Sequence, residues 1–230
     1  MGKNIVERTD DAVKIKHVLV SVSDKTGLEC LVPGLLRINP DVQFFSTGGT
    51  YDKIKEIIGP QAGSCLRQVS DYTGQPETQG GLVKTLDFRI YLGLLTETYN
   101  LDHQNDLQRT RSVAIDMVVV NLYPFAQTIS RPGVAVEEAR ANIDIGGPCM
   151  IRAAAKNFIR VASVVDPAEY ESILAEMEKN SGCVSFRLRF ELAQKAFEHT
   201  AVYDRTISDY LHAKLFQEAA DCYRKGEPNG

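Results

Sequence analysis

Short β-branched and aliphatic runs recur along the chain, separated by stretches whose apolar positions fall three and four apart. Residues 17–23 (HVLVSVS), 42–46 (VQFFS), 66–69 (LRQV), 91–96 (YLGLLT), 116–122 (DMVVVNL) and 161–166 (VASVVD) read as strands. Several are almost continuously apolar, as strands covered on both faces are. Residues 26–39, 50–58, 101–111, 136–143 and 167–179 carry the helical spacing, the last opened by Asp166 and Pro167 as N-cap and first-turn proline. Such alternation predicts an α/β fold with a doubly wound, mostly parallel sheet. Pro33, inside the first helical pattern, should kink or delay it. From Ser185 the spacing becomes helical throughout, with Phe186, Phe190, Ala193 and Phe197 on one stripe and Tyr203, Ile207, Tyr210 and Leu211 on another. This C-terminal helical appendage is expected to pack on the sheet domain or on a partner subunit. The expected organisation is a polar lead over 1–15, the α/β domain over 16–184, C-terminal helices over 185–225 and a frayed tail over 226–230.

Composition narrows the function classes. A hydrophobic share of 43% and a charged share of 24% in 230 residues describe a soluble globule with a sizeable core. A formal charge of −4 argues against nucleic acid or an anionic membrane as the main partner. The polar start has no apolar segment of signal-peptide length, and no apolar run is long enough to span a bilayer, so a cytoplasmic protein is expected. The five cysteines are scattered without a C-x-x-C pair and read as reduced thiols, and the four histidines lack ligand spacing, so no metal is expected.

Two strand-to-helix turns suit an anion. Ser23-Asp24-Lys25-Thr26-Gly27 follows the first strand, and Ser46-Thr47-Gly48-Gly49-Thr50 follows the second. Both fall at the carboxyl edge of the sheet, where doubly wound folds bind ligands and where helix N-termini favour phosphate. Glycine lets a phosphate approach the backbone, and Lys25 adds a point charge. Each turn alone is also what ordinary helix capping would produce. A third stretch, NIDIGGPCMIRAAAKN, sets Asp144 before Gly146-Gly147-Pro148 and a helix carrying Lys156 in its later turns. Asp144 could be a helix cap and Lys156 a solvated lysine favoured by the dipole; likewise Tyr123 could be core and Lys84 a surface charge.

Taken in order, VSVSDKTGL, STGGT, VKTL, VVVNLYPF, PGVAVEEARANIDIGG, RAAAKN, VVDPAEY and KAFEHTAVYD resemble the inosine monophosphate (IMP) cyclohydrolase part of the bifunctional purine-biosynthesis family, over about residues 16–211. The resemblance implies a methylglyoxal-synthase-like α/β fold. It also implies a cofactor-free ring closure of formylaminoimidazole carboxamide ribotide (FAICAR) to IMP and water, the cyclic amidine hydrolase reaction run towards the ring. A purine nucleotide is then the small-molecule ligand, a homodimer the family's habit and a separate formyltransferase a further partner. Lys84, Tyr123, Asp144 and Lys156 are the implied catalytic group, with Asp144 as base at the carboxamide and Lys156 as cation at the formyl oxygen. Asn121, Ile145, Gly146 and Gly147 would position the base. Ser23, Lys25, Ser46, Gly48, Gly49, Thr50 and Thr85 would hold the ribose phosphate. Lys156 lies about 12 Å along its helix from Pro148 at ~1.5 Å per residue, so the Asp144–Gly147 loop must fold back for both charges to reach one substrate.

The chain departs from that family around Lys84. Leu82 stands in place of an arginine, Asp87 and Phe88 in place of His-Pro, and Tyr91 in place of a second histidine. Lysine could not fully mimic a lost bidentate arginine donor, and an added carboxylate would repel an anionic substrate. Arg89 is a candidate replacement donor. The competing reading is a non-catalytic purine-nucleotide-binding or regulatory module; methylglyoxal synthase shares the fold but not the NLYPF, IDIGG and RAAAKN set.

Overall fold

The computed structural model describes residues 5–75, 84–224 and 226. Among the described residues seven strands are formed: β1 Ala12–Lys14, β2 His17–Val22, β3 Gln43–Ser46, β4 Leu66–Gln68, β5 Met117–Asn121, β6 Ala162–Val164 and β7 Cys183–Ser185. Five of them build one sheet in the order β4-β3-β2-β5-β6, parallel throughout. The helices are α1 Leu28–Ile38, α2 Gly48–Ile58, α3 Ala62–Cys65, α4 Val69–Thr73, α5 Phe88–Leu95, α6 Leu101–Thr110, α7 Phe125–Ile129, α8 Val136–Ala141, α9 Gly146–Lys156, α10 Tyr170–Lys179, α11 Phe186–His212 and α12 Phe216–Ala220. No helix among the described residues is long and apolar enough to cross a membrane.

The near-continuous apolar strands arise because both sheet faces are covered. Val18, Val20 and Val22 of β2, with Met117 and Val119 of β5, enter one core beneath α1, α2 and α10. Leu19, Val118 and Val120 enter the other, beneath α5, α9 and α11. Successive side chains alternate between faces, so each face draws on every second residue and neither can be polar.

Of residues 91–96, expected as a strand, 91–95 lie in α5 instead and Thr96 is its C-cap. Asp87 caps that helix, its Oδ1 accepting from the Arg89 N–H at 2.7 Å. Ile90 and Leu94, four apart, fill the second core. Gly93 lets the helix lie against the backbone, since a Cβ there would come within 2.5 Å of the Val113 carbonyl oxygen. A short apolar run has no period of its own, and here the cap sets its state. Pro33 does not break α1, which runs unbroken through it; the proline sits on the exposed face, where water can take the Glu29 carbonyl it leaves free.

The C-terminal helix packs as a layer of the domain, against α9 and β6. Its buried stripe is Arg189, Leu192, Ala193, Ala196 and Thr200. The stripe expected through Phe190 and Phe197 is rotated off that seam and leaves both rings partly exposed. Small residues facing Ala153, Ala154 and Ala155 of α9 let the two helices approach closely, and the rings fall to the flanks. A second feature was not foreseen: β1 pairs antiparallel with β7. Fully buried Arg189 locks this pair, its guanidinium donating to the carbonyls of Asp10 (2.6 Å), Val184 (2.6 Å), Phe158 (3.1 Å) and Ile159 (3.1 Å).

Candidate functional site

The carboxyl ends of β2, β3 and β5 meet the start of α9 at one edge of the sheet. Asn121 closes β5 and laces the turn after β2. Its Oδ1 accepts from the N–H groups of Ser23 (2.7 Å) and Asp24 (2.9 Å), while its Nδ2 donates to the Asp24 carbonyl (2.8 Å). Asp24 in turn accepts from the Thr26 N–H (2.9 Å) and hydroxyl (2.7 Å), and that hydroxyl holds its carboxyl below the usual range. The turn is therefore rigid without a ligand, and it aims Lys25 across to α2.

At α2 the chain needs glycine. Gly48 has φ +47°, and a Cβ on it would lie 3.4 Å from Lys84 Nζ; one on Gly49 would lie 3.9 Å from Lys25 Nζ. Two ammonium groups thus converge on a helix entrance whose opening N–H groups have no intrahelical acceptor. Ser46 and Thr50, expected as phosphate ligands, turn inward. The Ser46 hydroxyl donates to the Val20 carbonyl (2.8 Å), and Thr50 Oγ1 both accepts from the Val22 N–H (3.1 Å) and donates to its carbonyl (3.0 Å). Both are buried and hold the two turns in register.

Lys84 and Thr85 connect this cradle to the turn before α9. While Lys84 faces Gly48, the Thr85 hydroxyl lies 2.7 Å from where a Gly146 Cβ would stand. Asp144 caps α9, its Oδ1 accepting from the Gly147 N–H at 2.8 Å. A Cβ on Gly147 would lie 2.6 Å from both Asp144 Oδ2 and Leu122 Cδ2. The capping and functional readings of Asp144 are thus compatible, because one oxygen caps and the other remains. Burial raises the Asp144 carboxyl above the ordinary aspartate range, although the N–H groups of Gly147 and Tyr123 draw it down. Tyr123 and Ile145 rim the turn, at 56% and 60% exposure.

Lys156 is elsewhere. It ends α9, exposed, some 15 Å along the axis from Gly146 at ~1.5 Å per residue. The turn carrying Asp144 caps the helix rather than folding back along it, so the two charges stand at opposite ends of α9. Of the departures around Lys84, Leu82 lies outside the described residues. Asp87 is engaged as the α5 cap, and Arg89 donates through Nη1 to the Tyr72 carbonyl at 2.7 Å. Among the described residues the Tyr91 hydroxyl, beside Cys149, is buried without a hydrogen-bond partner, and burial pushes its pKa up. The residue that sequence reasoning missed is Tyr203 on α11, whose hydroxyl accepts the Asp144 N–H at 2.7 Å. Its one signal was a tyrosine on an apolar stripe, since a buried phenol needs a partner.

Known proteins resemble the chain along nearly its whole length. An MGS-like domain matches residues 27–149, and the AICARFT/IMPCHase bienzyme family matches residues 154–227. Proteins named bifunctional purine biosynthesis protein PurH are 44% identical over 203 residues in Leptospira biflexa, and 48% identical over 193 residues in a Synechococcus species. Those alignments cover 88% and 84% of this chain but 38% and 36% of the relatives, so the chain spans little more than a third of their length. A solved structure titled "Crystal structure of ForH" superposes with a TM-score of 0.74 at 31% identity, covering 89% of this chain and 98% of that one.

Proposed function

The chain belongs to the AICARFT/IMPCHase bienzyme family, with that family's MGS-like domain, and from this premise we propose that it is an IMP cyclohydrolase. The observation that carries the reading is the juxtaposition at the sheet edge. A cradle of two lysines and a glycine-opened helix lies beside a carboxylate with raised pKa, and Lys84-Thr85 joins the two. A ribotide phosphate would sit at Gly48 and Gly49 under Lys25 and Lys84, placing the imidazole towards Asp144.

The ring closure needs orientation and proton management more than new reactive groups, because both reacting ends belong to one molecule. The carboxamide nitrogen attacks the formyl carbon and passes a proton to Asp144. A raised pKa makes this carboxylate a better base than an ordinary aspartate, nearer to the pH at which it works. The tetrahedral oxygen is stabilised by the exposed Tyr123 phenol and the Lys84 ammonium. It leaves as water with two protons, one from the carboxamide nitrogen and one from the formamide nitrogen, giving IMP. Within one chain Lys156 stands away from these groups, so any part it plays in the reaction comes from a second copy.

Incubating the protein with FAICAR and following IMP formation tests the reading. Turnover abolished by Asp144→Asn and strongly reduced by Lys84→Met supports it. Nucleotide binding without turnover in the unmodified protein refutes it in favour of the binding module. Should Lys156→Ala also be inactive, co-refolding it with Asp144→Asn restores about a quarter of the rate if two subunits share each site, and none if they do not.

A further inference from the structure

The cyclohydrolase reading leaves open what fixes Asp144. Its turn is exposed on one side and is attached locally on the other. The Asn142 and Ile143 N–H groups return to α8, on the carbonyls of Ala139 (3.0 Å) and Arg140 (3.1 Å), and the Gly147 N–H goes to Asp144 itself. The Asp144 N–H instead reaches a residue 59 positions away, the Tyr203 hydroxyl. That tyrosine is braced by its ring, which meets Phe125 edge-on at 6.3 Å. Phe125 is buried and lies two residues after Tyr123, which rims the same turn. Tyr210, two turns further along α11, meets the same Phe125 ring at 5.8 Å, yet its hydroxyl is buried without a partner among the described residues.

We propose that Tyr203 is a positioning residue for the ring-closing reaction: its hydroxyl, carried on α11 and steadied by Phe125, holds the Asp144 backbone and thereby aims the Asp144 carboxylate. The inference rests on the cyclohydrolase reading for its catalytic consequence but not for its structural one. Phenylalanine at 203 would keep the ring packing and remove only the acceptor, leaving a part-buried N–H unsatisfied. The turn then loosens, and the carboxylate loses alignment and gains water.

The test compares Tyr203→Phe with Tyr210→Phe in the intact protein. Tyr203→Phe should lower kcat about tenfold or more while KM stays within about twofold, as loss of alignment rather than of binding predicts. It should also move the acidic limb of the kcat profile to lower pH, because Asp144 is better hydrated. Exchange of the Asp144 amide hydrogen should accelerate about tenfold or more once its acceptor is gone. Tyr210→Phe, which removes a hydroxyl with no partner among the described residues, should leave all three unchanged. Unaltered Asp144 exchange in Tyr203→Phe overturns the inference whether or not the protein turns over FAICAR. Accelerated exchange with unaltered kcat and pH profile overturns the catalytic half, and absence of turnover in the unmodified protein overturns the cyclohydrolase reading alone.

Discussion

Gly147→Ala tests most directly whether the Asp144 turn is built for function. A methyl group at this position would stand 2.6 Å from both Asp144 Oδ2 and Leu122 Cδ2. Relief to a normal contact near 3.5 Å requires a shift of roughly 0.9 Å, shared between the carboxylate and the leucine. Leu122 is buried at the end of β5 and has little room, so most of the movement falls on Asp144. Alanine within a helix would by itself gain about 0.5–1 kcal/mol over glycine, whereas overpacking costs about 1–3 kcal/mol. The net is a loss of about 1 kcal/mol, or a fall in Tm of about 2–4 °C for a chain of this size. Activity should suffer more, because misplacing a reacting group by about 1 Å can cost about a hundredfold in rate. Gly63→Ala is the control, since a Cβ there meets nothing within 4 Å and its φ is not positive. Thermal melts and IMP formation should separate the two variants. If Gly147→Ala kept full activity, the carboxylate position would not matter and the proposed site would be wrong.

Asp144→Asn should raise stability at neutral pH while abolishing turnover. A carboxyl whose folded pKa is raised holds its proton more tightly when folded, so it favours the native state at low pH and that advantage falls away as pH rises from the unfolded to the folded pKa. Denaturant melts should therefore show the variant gaining on the parent above that window and not below it. Arg160→Met strands Asp116, which also accepts from the Lys16 and His17 N–H groups at 2.9 and 3.0 Å, and should cost about 3–5 kcal/mol in urea unfolding. That cost should shrink on acidification, because an unpaired carboxyl can take up a proton. Asn121→Ala frees the Ser23 and Asp24 N–H groups at once, and calorimetry should show nucleotide binding weakened by about 1–3 kcal/mol.

The strand–helix alternation carried most of the fold, because apolar runs covered on both sides leave little else for a chain to do. It misread α5, where an unpatterned apolar run takes its state from the Asp87 cap and from Gly93 resting on a backbone carbonyl. Turn chemistry pointed to the sheet edge where Lys25, Lys84 and Asp144 gather, but not to the direction of the hydroxyls there. Ser46 and Thr50 have the composition of phosphate ligands and spend their hydrogen bonds on β2. Lys156 illustrates a different limit: sequence proximity to Asp144 says nothing about a charge carried to the far end of a straight helix. Tyr203 showed only as a tyrosine on an apolar stripe; its partner lies 59 residues away, and no local pattern encodes such a pairing.

The tie between β1 and β7 sets an order of events during synthesis. Arg189 cannot bridge the Asp10 carbonyl until 179 further residues have left the ribosome, and His17–Val22, the central strand, must wait for Met117–Asn121 before both its flanks are occupied. The nascent polypeptide therefore exposes a growing, half-covered sheet until these residues have emerged, and closure of that clasp follows the arrival of α11. At translation speeds of about 5–20 residues per second, this interval lasts roughly ten to forty seconds, long enough for chaperones to matter.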